Sequence, residues 1–207
     1  VGNATANANI VYMTSGAFNY DDNGPTLLKD ESFGTYELVS EDPLTVKYTV
    51  ADDVQWSDGT PVDGADLLLA WAANSGVLNT PDFDPGEFTD PDTGEFTDEY
   101  PTDVVYFDGA IGAGLQLVTE TPEIDGKSIT LVYDEFFVDW ELVFGVGLPA
   151  HVVAQRALGI EDATEAKDAL IEAVQNVDAE ALAPISNSWN SDWNFTELPT
   201  EEDANLL

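Results

Sequence analysis

Hydrophobic and polar positions alternate most clearly between Leu44 and Val50. There Leu44, Val46, Tyr48 and Val50 are separated by Thr45, Lys47 and Thr49. A period of two buries one face of a strand and wets the other, so this stretch reads as a half-buried strand. Tyr36 to Val39 reads as a strand paired with it across Ser40 to Pro43. In Ser128 to Tyr133 the same alternation places Ile129, Leu131 and Tyr133 on one face. Ile10 to Met13, Val104 to Phe107 and Leu115 to Thr119 read as further strands. Ile124-Asp125-Gly126-Lys127 is expected to turn the chain between Leu115–Thr119 and Ser128–Tyr133.

Helical grammar interrupts these strands. Residues 56 to 71, WSDGTPVDGADLLLAW, place an Asp58-Gly59 turn before an apolar run. Asp63 stands at the N-cap position, with Val62 and Leu67 at the two positions of a hydrophobic staple. Gly64, in the first turn, should weaken this helix by about 1 kcal/mol. Trp71 follows Leu67 by four residues and so belongs to the core face. Pro149-Ala150-His151 opens a second helix with proline at its first position, and Gly159 ends it. Asp162 and Glu165 form a capping box, followed by an apolar face of Ala166, Ala169, Leu170, Ala173, Val174 and Val177. A short last helix is expected from Asp178 towards Ile185. The mixture specifies an α+β protein with a small, mixed, mainly antiparallel sheet.

With 207 residues and 43% hydrophobic content the chain can bury a good core. It contains no cysteine, which removes disulfides and thiolate metal sites. No apolar run approaches the roughly 20 residues that span a bilayer. It begins with valine and carries no signal peptide, as a processed or trimmed chain would. Charge alters the picture more. Forty-one acids face Lys29, Lys47, Lys127, Arg156 and Lys167, for a net charge of −36. Between Lys47 and Lys127 eighteen carboxylates accumulate without one cation, so nucleic acid and anionic lipid are poor partners. Solubility, or adaptation to a salty exterior, is the plain reading of that excess.

Residues 79–103 form an acidic loop in which GEFTD occurs at 86–90 and again at 94–98. Phe88 and Phe96 recur in it and should tack it to the body. The stretch from Asp90 to Glu95 faintly resembles a calcium loop, yet lacks the acids that supply roughly 6–8 oxygens. His151 is the single histidine, and no G-x-S-x-G elbow exists, so it reads as a core or capping residue. One histidine and no cysteine exclude a zinc site. Glycines 109, 112 and 114 lack the Lys-Ser/Thr of a phosphate loop and read as a turn entering a strand. Five tryptophans amid many acids suggest glycoside hydrolysis, but nothing selects the necessary carboxylate pair. No catalytic residue, metal ligand or cofactor is assigned, and the chain is read as a non-enzyme.

The segment Leu44 to Trp71 resembles the signature of the peptide/nickel-type (oligopeptide/dipeptide, family 5) solute-binding proteins of ABC importers. Trp56, Asp58, Gly59, Pro61, Val62, Asp66 and Trp71 stand at matching positions, with Asp63 for the usual threonine and Gly64 for the usual alanine. TETPEIDGKSITLVYDEFFVDWELVF resembles the family's following hairpin, and Pro149-Ala150-His151 its P-x-H helix start. The resemblance covers Ile10 to Pro199. It implies the small subdomain and part of the first lobe of a two-lobed, periplasmic-binding-protein-like molecule. On this reading 1–207 is a single fragment domain, with 1–9 flexible and 79–103 an acidic loop insertion. The family captures peptides or related small solutes outside the cytoplasm and delivers them to ABC permease subunits in the membrane. That implies a monomer in the periplasm or at the cell surface, lipid-anchored through a missing N-terminus, without a cofactor. Tyr106 and Phe107 are candidates for an aromatic wall against the ligand, and equally for core strand residues. Most ligand contacts would come from absent parts, so this chain alone should bind peptides negligibly. The alternatives are a calcium-stabilised extracellular adhesion or interaction module and an acidic glycoside hydrolase.

Overall fold

A computed structural model describes residues 15–20, 27–91, 94, 96–97, 100–112 and 114–193. The expected strand at Ile10–Met13 and the flexible residues 1–9 lie outside that set. A short ribbon pairs β1 (Asn19–Tyr20) with β2 (Leu28–Lys29). The main sheet holds β3 (Gly34–Glu41), β4 (Leu44–Val50), β5 (Glu123–Asp125) and β6 (Ser128–Val132). It is antiparallel throughout, in the order β3-β4-β6-β5.

Its register follows the alternation in the sequence. Tyr36 faces Tyr48, which faces Ile129, while Leu38 faces Val46, which faces Leu131. Val46, Tyr48, Ile129 and Leu131 are all buried. Phe18 and Phe33 meet edge to face at 5.0 Å, and Phe18 meets Tyr48 at 5.2 Å, so aromatic packing seals one end of this face. The β3–β4 hairpin pairs out to Glu41 and Leu44, further than the apolar pattern predicts. A bulge between Leu38 and Ser40 leaves Val39 outside the ladder and exposed.

Four helices cover the core: α1 (Gly64–Ser75), α2 (Ala150–Leu158), α3 (Ala163–Gln175) and α4 (Ala179–Ser191). All of α1 except Asn74 is buried, as befits a helix enclosed on every side. It packs on β5 and β6 and against α2 and α3, and α4 packs on α2 and α3. Helix α2 begins at Ala150, so Pro149 is its N-cap rather than its first helical residue as expected, and Gly159 ends it at φ 67°. Asp162 caps α3 by accepting from the amides of Thr164 and Glu165. Val177 lies beyond the helix, exposed.

Three sequence expectations fail for physical reasons. Val104–Phe107 forms no regular strand: the Val105 carbonyl accepts from the Thr80 amide at 2.7 Å, but side chains take most of its other backbone groups. Asn79 Oδ1 accepts from the Phe107 amide at 2.9 Å, Ser186 Oγ from the Tyr106 amide at 3.2 Å, and Asn190 Nδ2 donates to the Tyr106 carbonyl at 2.7 Å. Leu115–Leu117 is a 3₁₀ turn, so the partner of β6 is β5 rather than Leu115–Thr119. Helix α4 continues through Pro184 to Ser191, although proline removes a backbone donor. Its second half carries Ser186 and Asn190, the side chains that clasp residues 106–108, and tertiary contact overrides the local break.

Candidate functional site

The residues of the 56–71 segment converge on one buried carboxylate. Asp66 is 0% exposed and accepts from four directions. Its Oδ1 takes the Trp56 indole N–H at 3.1 Å and the Ala150 amide at 2.8 Å. Its Oδ2 takes the Asp63 amide at 2.9 Å and Lys167 Nζ at 2.9 Å. The Asp63 carboxylate in turn accepts from the Ala65 amide at 3.0 Å, so the start of α1 is capped reciprocally. Lys167, itself buried, also reaches Asp63 Oδ2 at 3.0 Å and the Pro61 carbonyl at 2.7 Å. One ion cluster thus ties the turn, α1, α2 and α3 together.

Asp58 forms the neighbouring link. Its Oδ1 accepts from the Thr60 amide at 2.8 Å, and its Oδ2 lies 2.8 Å from His151 Nε2. Burial pushes the Asp58 carboxyl up, but the Thr60 and His151 hydrogen bonds together hold it below its ordinary value. His151 is 2% exposed, and its Nδ1 has no hydrogen-bond partner among the described residues. A catalytic triad needs a nucleophile on the ring's second nitrogen, and none stands there. The pair therefore fastens the WSDG turn to α2.

Gly64 has a reason that the sequence hides. Its amide donates to the Gly126 carbonyl at 2.9 Å, and an added Cβ would lie 2.8 Å from that oxygen and 3.2 Å from Ile124 Cβ. The glycine lets α1 seat directly on the β5–β6 turn. Gly109, read as a turn before a strand, likewise approaches α1, since a Cβ there would meet the Ala73 carbonyl oxygen.

Tyr106 and Phe107 part company in the fold. Phe107 is fully buried, with its ring edge-on to Trp189 at 6.4 Å. Tyr106 is partly exposed and joins an aromatic cluster with Phe83 at 5.6 Å and Phe96 at 6.4 Å. Phe88 stacks on Phe83 and Phe96 on Tyr100 within the acidic loop, and the cluster reaches out of it through the contacts of Phe83 and Phe96 with Tyr106. Part of the calcium-like stretch, at 92, 93 and 95, lies outside the described residues. Among the described residues no three His, Cys, Asp or Glu side chains cluster to hold a metal ion.

One further feature leaves no trace in the order of residues. A cavity of about 220 Å³ opens between Ala70 and Asn74 of α1, Ala110, Gly112 and Leu115, and the stretch Val143–Gly145. Its lining comes from three separate stretches of chain, so no local spacing reports it. Charge patterning around Lys167 would have been the available clue to the ion cluster, because it is a lysine on the apolar face of α3.

Among the described residues no helix is long and apolar enough to cross a membrane. No protein-family model matches the chain. An uncharacterized lipoprotein of Mycobacterium leprae (strain TN) is 29% identical over 200 residues, which cover 94% of this chain and 30% of the relative. An uncharacterized lipoprotein of Mycobacterium tuberculosis (strain ATCC 25618 / H37Rv) is 28% identical over the same share of each. The chain thus spans about 30% of the length of the curated relatives it matches. Among solved structures, the periplasmic EDTA-binding protein EppA superposes with a TM-score of 0.55 at 23% identity, over 81% of this chain and 26% of that one. The mixed α+β fold, with its antiparallel sheet and helices, is therefore shared with part of that periplasmic EDTA-binding protein.

Proposed function

We propose that this chain is part of an extracytoplasmic solute-binding lipoprotein, one that captures peptides or a related small solute and delivers it to the permease of an ABC importer. It acts by binding, without chemistry of its own. In this reading residues 1–207 belong to the small subdomain and first lobe of a two-lobed clamp that closes on its ligand. The observation that carries it is the Asp66 junction. Trp56, Asp58, Asp63, Asp66 and Trp71 of the 56–71 signature all spend their polar groups on joining segments, and this is the behaviour of a scaffold corner. The likeness in fold to a periplasmic binding protein and the lipoprotein relatives support the same assignment and an extracytoplasmic, lipid-anchored location. The ligand named for EppA does not transfer simply, because a net charge of −36 opposes a polyanionic chelate. Tyr106 remains the aromatic wall candidate, being the partly exposed member of its pair.

The test is a thermal-shift screen of the full-length product of the reading frame against peptides, metal chelates, sugars and opines, with a glycan-hydrolysis panel alongside. One solute class should raise Tm in a concentration-dependent way, because it binds only the native form. Hydrolysis of a glycan, or a polypeptide that ends at Leu207, would overturn the reading.

A further inference from the structure

The charges of this fold fall into two populations with different duties. The few cations are spent on the structure itself. Lys167 is buried against Asp63 at 3.0 Å and Asp66 at 2.9 Å. Lys127 Nζ donates to the Ala51 and Asp52 carbonyls, both at 3.1 Å, and so serves the backbone. Lys29 lies 4.0 Å from the Tyr36 ring centroid and 3.4 Å from Glu141. Lys47 faces Glu37 across the β3–β4 ladder, and Arg156 stands in the last turn of α2. Were each of the five to cancel one acid, a charge of −36 would remain.

The acids make the second population. Asp66 is the one buried acid among the described residues, so the others carry their charge at or near the surface. Their field reaches inward at Tyr106. Burial first, then the charge and hydrogen bond of Asp108 and the charge of Asp84, push that phenol above its ordinary value. Among the described residues no three acids converge to chelate an ion, and the surface instead offers mobile counter-ions a broad field.

A folded chain of this length has a radius of gyration of about 17 Å. At 10 mM salt the Debye length is about 30 Å, so every carboxylate repels every other; at 0.15 M it is about 8 Å, and only neighbours interact. Self-repulsion of this kind opposes the compact state. The buried Lys167 cluster is screened far less, because it is out of the water. Salt therefore weakens what opposes folding and spares what holds the fold together. We propose that ionic strength is a switch on this fold: a diffuse atmosphere of small cations maintains the folded state, and dilution of the salt releases it. The proposal is independent of the solute-capture reading, and neither outcome decides the other.

The test follows Tm of the 207-residue chain by circular dichroism at neutral pH, from about 10 mM to about 0.5 M NaCl. Tm should climb by roughly 5–10 °C, mostly below about 0.15 M, where the Debye length shortens fastest. KCl at equal ionic strength should give the same curve. Four exposed acids supply the control: Glu31→Lys, Asp103→Lys, Glu120→Lys and Asp168→Lys together, each worth two charges, take the net charge from −36 to −28. Because self-repulsion grows with the square of the charge, the combined variant should lose roughly two-fifths of the climb. Each single reversal should lose less in the same direction, so the comparison survives a combined variant that fails to fold. Lys167→Met should lower Tm at every salt concentration and keep the climb, since it removes a buried partner. A Tm that stays flat or falls with salt overturns the proposal. So does an undiminished climb in the reversed variants, because salt would then be acting on apolar burial. A climb that KCl fails to reproduce, or that disappears in Lys167→Met, places the effect in one bound ion or in the buried cluster and overturns the diffuse atmosphere.

Discussion

Helix α1 ends in two opposite ways. Its first turn is wired: Asp63 and Asp66 are matched by Lys167, by backbone amides and by the Trp56 indole, and Gly64 sits against the β5–β6 turn. Its last turns, from Ala70 to Asn74, border open space behind small residues. The wired end shows that a cluster of acids within one motif need not be chemistry. Buried carboxylates with every acceptor filled are joints. The open end carries no charged side chain in its lining and borders space that no side chain fills.

The largest effect should come from cutting the wired end. Lys167→Met leaves Asp63 and Asp66 facing each other without a counter-charge, and losing one partner of a buried pair costs about 3–5 kcal/mol. Chemical denaturation should show the midpoint falling with an unchanged slope. Removal of an exposed acid from the loop, Asp103→Ala, should stay within about 0.5 kcal/mol, since surface sites away from special features rarely exceed it. Equal losses in the two variants would mean that the ion cluster holds nothing together. Next comes Gly64→Ala. Helix propensity alone favours alanine by about 1 kcal/mol. The contact at 2.8 Å with the Gly126 oxygen should reverse that sign and give a net loss of about 1–3 kcal/mol, the usual cost of overpacking. A stabilised variant would show that the hairpin yields.

Much of the wired end was legible in the sequence, because local rules write it. The N-cap at Asp63, the burial of Trp71, and the strands at Leu44–Val50 and Ser128–Val132 each follow from spacing alone. What stayed hidden depends on partners far along the chain. Asp66 looks like any first-turn acid until Ala150 and Lys167 arrive, 84 and 101 residues later. Gly64 reads as a defect until Gly126 is beside it. Val104–Phe107 has the composition of a strand, but Asn79, Ser186 and Asn190 answer its backbone in place of a ladder. Side-chain rungs of that kind have no period to read.

The Asp58–His151 link should appear as acid sensitivity of moderate size. The hydrogen bonds on Asp58 hold its folded pKa below the unfolded value, so the carboxylate's contribution is present above the ordinary aspartate value of about 3.9 and disappears as pH falls through the lower folded value. Asp58→Asn should therefore lower Tm where the carboxylate is ionised, above about pH 5, and converge with the parent as pH falls below the folded value. A constant difference across that window would show that the carboxylate's charge is immaterial and that only its geometry matters.

The smallest effect sharpens the contrast most. Gly112→Leu adds a whole isobutyl group at the open end, where its Cβ has no neighbour closer than 3.8 Å, while Gly64→Ala adds one methyl at the wired end. If α1 is closed at one end and open at the other, the larger insertion should be the harmless one, with ΔΔG within about 0.5 kcal/mol against the loss predicted for the smaller. Paired denaturation curves of the two variants measure this directly. A Gly112→Leu protein as unstable as Gly64→Ala would mean that the cavity closes in solution and that both ends of α1 are packed alike.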